Sequence, residues 1–96
     1  MDTNPKFSLY SIVGNTPLVQ LGNSLPQNIS PNVRIFGKLE QHNPSGSVKA
    51  RAASRILYEA EQAGRLKPGM TILDASSGNT GIAYAMFAAN RGYSLK

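Results

Sequence analysis

Three groups of residues in this sequence combine a reactive side-chain type with a spacing that can use it: a lysine opening a helix, a loop of serine, glycine and asparagine, and a lone histidine. The lysine is Lys49, in the stretch Asn43-Pro44-Ser45-Gly46-Ser47-Val48-Lys49-Ala50-Arg51. Over residues 47–64, Val48, Ala52, Ala53, Ile56, Leu57, Ala60 and Ala63 recur at helical spacing. Lys49 falls three, four and seven residues ahead of Ala52, Ala53 and Ile56. The spacing therefore predicts an amine set above the buried stripe, while Arg51, Arg55, Glu59 and Gln62 take the opposite face. An amine at a helix N-terminus and partly out of water has its charged form disfavoured on both counts, which makes it a nucleophile suited to attack an aldehyde. A plainer reading is a lysine that lays its stem on apolar surface and keeps its ammonium wet. Spacing alone leaves both open.

The second group is Ser76-Ser77-Gly78-Asn79-Thr80-Gly81. It lies between an apolar extended run and an apolar helical one, so it occupies the carboxyl end of a strand and the N-terminus of a helix, where open α/β sheets bind ligands. Unpaired N–H groups of a first helical turn attract anions, and hydroxyls add further donors. Gly78 and Gly81 permit close backbone approach, and Ser77, Asn79 and Thr80 can converge on a carboxylate or phosphate. Pro44-Ser45-Gly46-Ser47 forms a second anion-suited turn ahead of Lys49. Ordinary serine and asparagine caps account for the same residues, and the spacing does not choose. His42 cannot build a metal site alone and marks a loop before Asn43-Pro44, while Tyr84, Met86 and Phe87 sit at core spacing.

The elements that must position these groups follow from patterning. Gly14-Asn15-Thr16-Pro17 is a turn, residues 18–21 and 33–40 read as two strands able to pair as a hairpin, and the segment between them is loop-like. A helix follows over residues 47–64, with Ser45 or Ser47 as its N-cap and Gly64 as its stop. Residues 70–75 read as a buried strand, 82–89 as a helix apolar on every side and therefore buried, and 93–96 as the start of another strand. This order belongs to a parallel sheet with right-handed crossovers. A helix apolar all round needs more cover than these strands give, so the sequence is expected to be part of a longer α/β protein.

Composition narrows the classes. Ninety-six residues hold one small domain at most, and 41% hydrophobic with 16% charged residues is globular rather than disordered. No apolar run approaches the ~18 residues of a membrane span, and residues 1–11 lack a signal-peptide pattern. The absence of cysteine excludes disulfides and thiolate metal sites and fits a cytoplasmic protein. The net charge of +5 is spread without a basic run, which points away from nucleic acid; a basic surface offset elsewhere in a longer protein accounts for it, and a basic site also suits an anionic ligand.

Three segments in order carry a resemblance: GNTPLVQL from Gly14, KLEQHNPSGSVKAR from Lys38 and SSGNTGIA from Ser76. The chain resembles the N-terminal part of the cysteine synthase (O-acetylserine sulfhydrylase) family, fold-type II pyridoxal-phosphate enzymes. The resemblance implies a β-hairpin over residues 1–40 that joins the larger domain, then the start of a parallel-sheet α/β domain over 41–96. It makes Lys49 the catalytic lysine that holds pyridoxal 5'-phosphate and moves the α-proton, and Asn79 the cofactor's 3'-hydroxyl partner. Ser76, Ser77, Gly78, Asn79 and Thr80 become the loop that grips the substrate carboxylate. The implied reaction is β-replacement, in which acetate leaves O-acetylserine and sulfide adds to give cysteine. Homodimerisation and a serine acetyltransferase partner are implied as well. Two positions depart from the family: Ala50 stands where Asp is usual, and Ser76 where Thr is usual. The family's phosphate cup and pyridine-nitrogen partner lie beyond residue 96, so the 96-residue chain is expected to be inactive alone. A non-catalytic binding homologue and a cystathionine β-synthase-like enzyme are the alternatives.

Overall fold

The computed structural model describes residues 8–22, 26, 29–76 and 78–96. After a 3-10 turn at Leu9–Ile12, strands β1 (Leu18–Gln20) and β2 (Phe36–Lys38) pair antiparallel with Val19 opposite Gly37. The ladder runs on through Leu21 N–H to the Ile35 carbonyl (3.0 Å) and Leu39 N–H to the Pro17 carbonyl (2.9 Å). The expected hairpin is therefore present, with shorter strands than the alternation suggested. Leu39 turns the chain out of β2 into a second 3-10 turn, Glu40–His42.

Helix α1 spans Lys49–Gln62 and helix α2 spans Asn79–Arg91. Between and after them, β3 (Thr71–Ile72) and β4 (Ser94–Leu95) pair in parallel, Thr71 opposite Ser94. The two helices bury Ala50, Ala53 and Leu57 against Ala83, Tyr84 and Phe87. Three alanines let the backbones approach, and the two aromatic rings fill the remaining space.

This core corrects three expectations. The buried stripe of α1 is Ala50, Ala53, Ser54 and Leu57, whereas Ile56 is 54% exposed and Ala52 is also exposed. Ser54 is admitted because its hydroxyl donates to the Arg51 carbonyl one turn back (3.1 Å), a bond that hydrophobic periodicity cannot register. Helix α2 is covered on one side only: Ala83, Tyr84, Phe87, Ala88 and Arg91 are buried, while Ile82 is 55% exposed and Met86 also faces water. Residues 70–75 are not a buried strand either: the strand proper is Thr71–Ile72, its ladder reaches only to the Met70 carbonyl and the Asp74 N–H, and Leu73 is 79% exposed. Ala53 and Leu57 of the expected α1 stripe are buried as patterning required; Ala52, Ile56, Leu73, Ile82 and Met86 lie exposed.

Both helices end on a left-handed glycine, Gly64 (φ +74°) after α1 and Gly92 (φ +84°) after α2. Arg65 N–H reaches back to the Ala60 carbonyl (2.9 Å) and Tyr93 N–H to that of Ala88 (2.8 Å). Beside these ends lies a buried ion pair, Arg91 Nη2 to Glu61 Oε2 at 2.7 Å, with side chains only 9% and 10% exposed. The Tyr10 hydroxyl donates to the same carboxylate (2.8 Å), and its ring lies 5.4 Å below the Arg91 guanidinium and 5.5 Å from Phe87. Burial, then the bond to Glu61, pushes the Tyr10 phenol well above its ordinary range.

Candidate functional site

Lys49 is the first residue of α1 and Asn79 the first of α2. The Glu61–Arg91 pair joins the last turns of the two helices, and Ala50 and Ala83 from their first halves belong to one buried cluster, so the helices run in the same sense and both N-termini lie at one end of the pair. Each first residue stands about 18 Å along its helix from the ion pair. The two positive helix ends thus share one end of the helix pair, and neither first turn contains an acidic residue.

Lys49 is exposed, on the flank it shares with Ala52 and Ile56, so the partial desolvation expected for its amine is absent among the described residues. No carboxylate among those residues pairs with it. The helix start has no side-chain cap at Val48; instead Lys49 N–H donates to Ser47 Oγ (3.2 Å). Ser47 therefore serves the start of the helix, while Ser45 Oγ is buried and meets no hydrogen-bond partner among the described residues.

At α2, Ser76 Oγ accepts the Gly81 N–H (2.9 Å) and, at longer range, the Gly78 N–H (3.5 Å). Its own proton stays available to an incoming acceptor. A Cβ on Gly81 would stand 3.4 Å from both the Ser76 carbonyl and its hydroxyl, so the turn closes most comfortably around glycine. Gly78 and Asn79 are exposed and Thr80 is half-buried. Ser77 lies outside the described residues.

Lys49 is held from behind by groups whose motif positions sequence reasoning recognised without assigning them a task. The Glu40 carboxylate accepts from Arg51 Nε (2.6 Å), Arg51 Nη2 (3.1 Å), Thr16 Oγ1 (2.6 Å) and Asn43 Nδ2 (3.0 Å). Four donors fill its four lone-pair sites. The Arg51 fork, followed by the Thr16 hydroxyl, holds the Glu40 carboxyl at about 2, well below its ordinary 4.5. Asn43, 4% exposed, also accepts the Gly14 N–H on Oδ1 (2.8 Å). Gly14 has φ +84°, and a Cβ there would come within 2.9 Å of Arg51 Nη1. Turn Gly14–Thr16, turn Glu40–His42 and helix α1 are thereby locked together. The available signal was Gly14 and Thr16 in one motif with Glu40, Asn43 and Arg51 in the next. His42 is exposed in the second of these turns.

Arg51 pairs with Glu40, so the missing carboxylate at position 50 does not orphan it; Ala50 is wholly buried in the helix–helix core. Among the described residues no cluster of three or more His, Asp or Glu is placed to hold a metal ion, and no helix is long and apolar enough to cross a membrane.

The donor set at this end of the helix pair suits an anionic aldehyde: an exposed amine for the carbonyl carbon, and helix-end N–H groups with serine and threonine hydroxyls for anionic oxygens. The family model described as pyridoxal-phosphate dependent enzyme matches residues 9–96. The chain belongs to this pyridoxal-phosphate-dependent enzyme family. It is similar to cysteine synthase B of Salmonella typhimurium, 52% identical over 89 residues, covering 93% of this chain and 28% of that protein. It is also similar to cystathionine beta-synthase of Apis mellifera, 48% identical over 85 residues, covering 88% of this chain and 17% of that one. A crystal structure of cysteine synthase from Entamoeba histolytica superimposes with a TM-score of 0.82 at 41% identity, over 99% of this chain and 29% of that one. The antiparallel hairpin and the parallel strand pair are those of a fold-type II enzyme of this family. The chain spans little more than a quarter of the length of the cysteine synthases it matches.

Proposed function

We propose that these residues form the lysine-bearing side of a cysteine synthase site, where sulfide replaces the acetate of O-acetylserine to give cysteine. The observation that carries the reading is the common sense of α1 and α2, which sets Lys49 and Asn79 at one end of the helix pair. Bound pyridoxal 5'-phosphate would supply the electron sink for loss of the β-substituent.

The chain's own residues take four tasks. Lys49 would hold the cofactor's aldehyde through its amine and would move the proton of the substrate's α-carbon. Asn79 would help to hold the cofactor through its side-chain amide. Ser76, whose oxygen accepts the Gly81 N–H, offers its hydroxyl proton to the substrate carboxylate, with Thr80, Ser77 and the backbone at Gly78 as further donors. Helix-end dipoles favour the anionic groups of both ligands. Residues 1–40 belong in this reading with a larger domain and 41–96 with a smaller one. The whole is a cytoplasmic enzyme of cysteine biosynthesis that forms a homodimer and accepts serine acetyltransferase as a partner.

The test is a chimera in which residues 1–96 replace the matching stretch of Salmonella typhimurium cysteine synthase B. It is expected to take up pyridoxal phosphate with a visible absorbance band and to make cysteine from O-acetylserine and sulfide, and Lys49→Ala is expected to abolish both. A chimera that prefers serine and homocysteine would move the assignment to a cystathionine β-synthase, the second reading favoured by the 48% identity to the Apis mellifera protein. A folded chimera without either activity would favour a non-catalytic binding homologue.

A further inference from the structure

We propose that Glu40 is a positioning residue for Lys49, acting through a clamp that fastens both ends of the lysine-bearing loop to one carboxylate. The inference rests on the reading of Lys49 as the aldehyde-reactive lysine.

The loop in question, residues 43–48, begins at Asn43 and runs into α1 two residues ahead of Arg51. Asn43 Nδ2 and the Arg51 fork both donate to Glu40, so the start of the loop and the first turn of the helix converge on the same pair of oxygens. Asn43 Nδ2 also lies 3.0 Å from the Glu40 carbonyl, and Thr16 Oγ1 closes the set from the hairpin side. Besides the clamp, the Gly14 N–H bond to Asn43 Oδ1 (2.8 Å) ties the start of the loop to the hairpin side. Its remaining bonds among the described residues are short-range: Gly46 N–H to the Asn43 carbonyl (2.8 Å), Ala50 N–H to that of Ser47 (3.3 Å), Arg51 N–H to that of Val48 (3.1 Å), and the Ser47 hydroxyl under the Lys49 N–H (3.2 Å). The helix start lacks a side-chain cap at Val48, and the Lys49 side chain touches no carboxylate among the described residues.

The direction in which Lys49 leaves the backbone is therefore decided by its neighbours. On one side Ala50 is seated in the helix–helix core; on the other Arg51 is held in a bidentate fork. A carboxylate with all four acceptor sites filled cannot rotate without breaking a charge-assisted bond, so the clamp has one geometry rather than several. A lysine that must meet an aldehyde carbon gains rate from being held at one approach, and an error near 1 Å in such a group is costly.

The test measures loop order and lysine reactivity separately in the 96-residue chain. Amide hydrogen exchange is compared for wild type, Glu40→Gln and Arg51→Lys, the last keeping the charge while losing the fork. Exchange over residues 45–51 is expected to rise at least ~10-fold in Glu40→Gln and by less in Arg51→Lys, with the Leu57 and Phe87 amides unchanged. In parallel the chains are treated with millimolar pyridoxal phosphate, reduced with borohydride and mapped, with exposed Lys67 as internal reference. Wild type is expected to label Lys49 several-fold faster than Lys67, Glu40→Gln to bring the two near parity, and Arg51→Lys to fall between. Unchanged loop exchange in Glu40→Gln, or a rise of equal size at Leu57 and Phe87, would overturn the clamp; so would a labelling preference that survives in Glu40→Gln. Equal labelling in the wild type would overturn the reading of Lys49 itself, a result that the exchange arm, which involves no cofactor, tells apart from failure of the clamp.

Discussion

Ala50 and Glu40 show how differently two positions near one lysine are constrained. Ala50 is wholly buried in an apolar cluster with Ala53, Leu57, Ala83, Tyr84 and Phe87. Restoring the residue usual in the family, Ala50→Asp, is therefore expected to cost about 2 kcal/mol or more in urea unfolding, because a buried charge would go unpaired. Glu40 is the opposite case, a carboxylate with every acceptor site used. Its folded-state pKa is depressed, so its contribution to stability is complete above its ordinary 4.5 and is lost as pH falls towards about 2. A series of thermal melts should show the midpoint dropping through that window in wild type and dropping less in Glu40→Gln. Polar spacing predicted nothing of this network, because its members are scattered from Gly14 to Arg51 and meet only when the hairpin folds back on α1.

The two helices depend on a feature at the other end. Removing one member of a buried ion pair leaves the other charged and unpaired, so Arg91→Met is expected to destabilise by about 3 kcal/mol in denaturant titrations. Arg91 also covers the Tyr10 ring, so the same substitution should alter the near-ultraviolet circular dichroism of the tyrosines. This pair joins the last turns of the two helices, at the end opposite Lys49 and Asn79. The helix boundaries were legible from the sequence to within a few residues, since Gly64 and Gly92 stop each helix in a conformation that other residues adopt with strain. Which face of α1 would be buried was not, because Ser54 satisfies itself and Ile56 faces water.

The molecule is elongated, with extents of 55 × 30 × 18 Å and a radius of gyration of 17.3 Å, against about 13 Å for a compact chain of this size. The proposed cofactor end offers helix termini, hydroxyls and one amine among the described residues. Those groups can attract an anion, but they surround it on few sides. Assayed without added partner sequence, the chain is accordingly expected to give no cysteine above background from O-acetylserine and sulfide; measurable turnover lost in Lys49→Ala would refute this.

By itself the sequence determined the elements and the chemistry on offer. Turn residues, periodicity and helix-stopping glycines are local, so the hairpin, the two helices and the parallel strand pair were readable, and three motifs in order pointed to the family. Tertiary structure alone decided the rest. Contacts between residues distant in sequence made Glu40 the common anchor of the hairpin and the lysine loop, put Ala50 in the core, and paired Glu61 with Arg91 at the end of the helix pair away from Lys49 and Asn79.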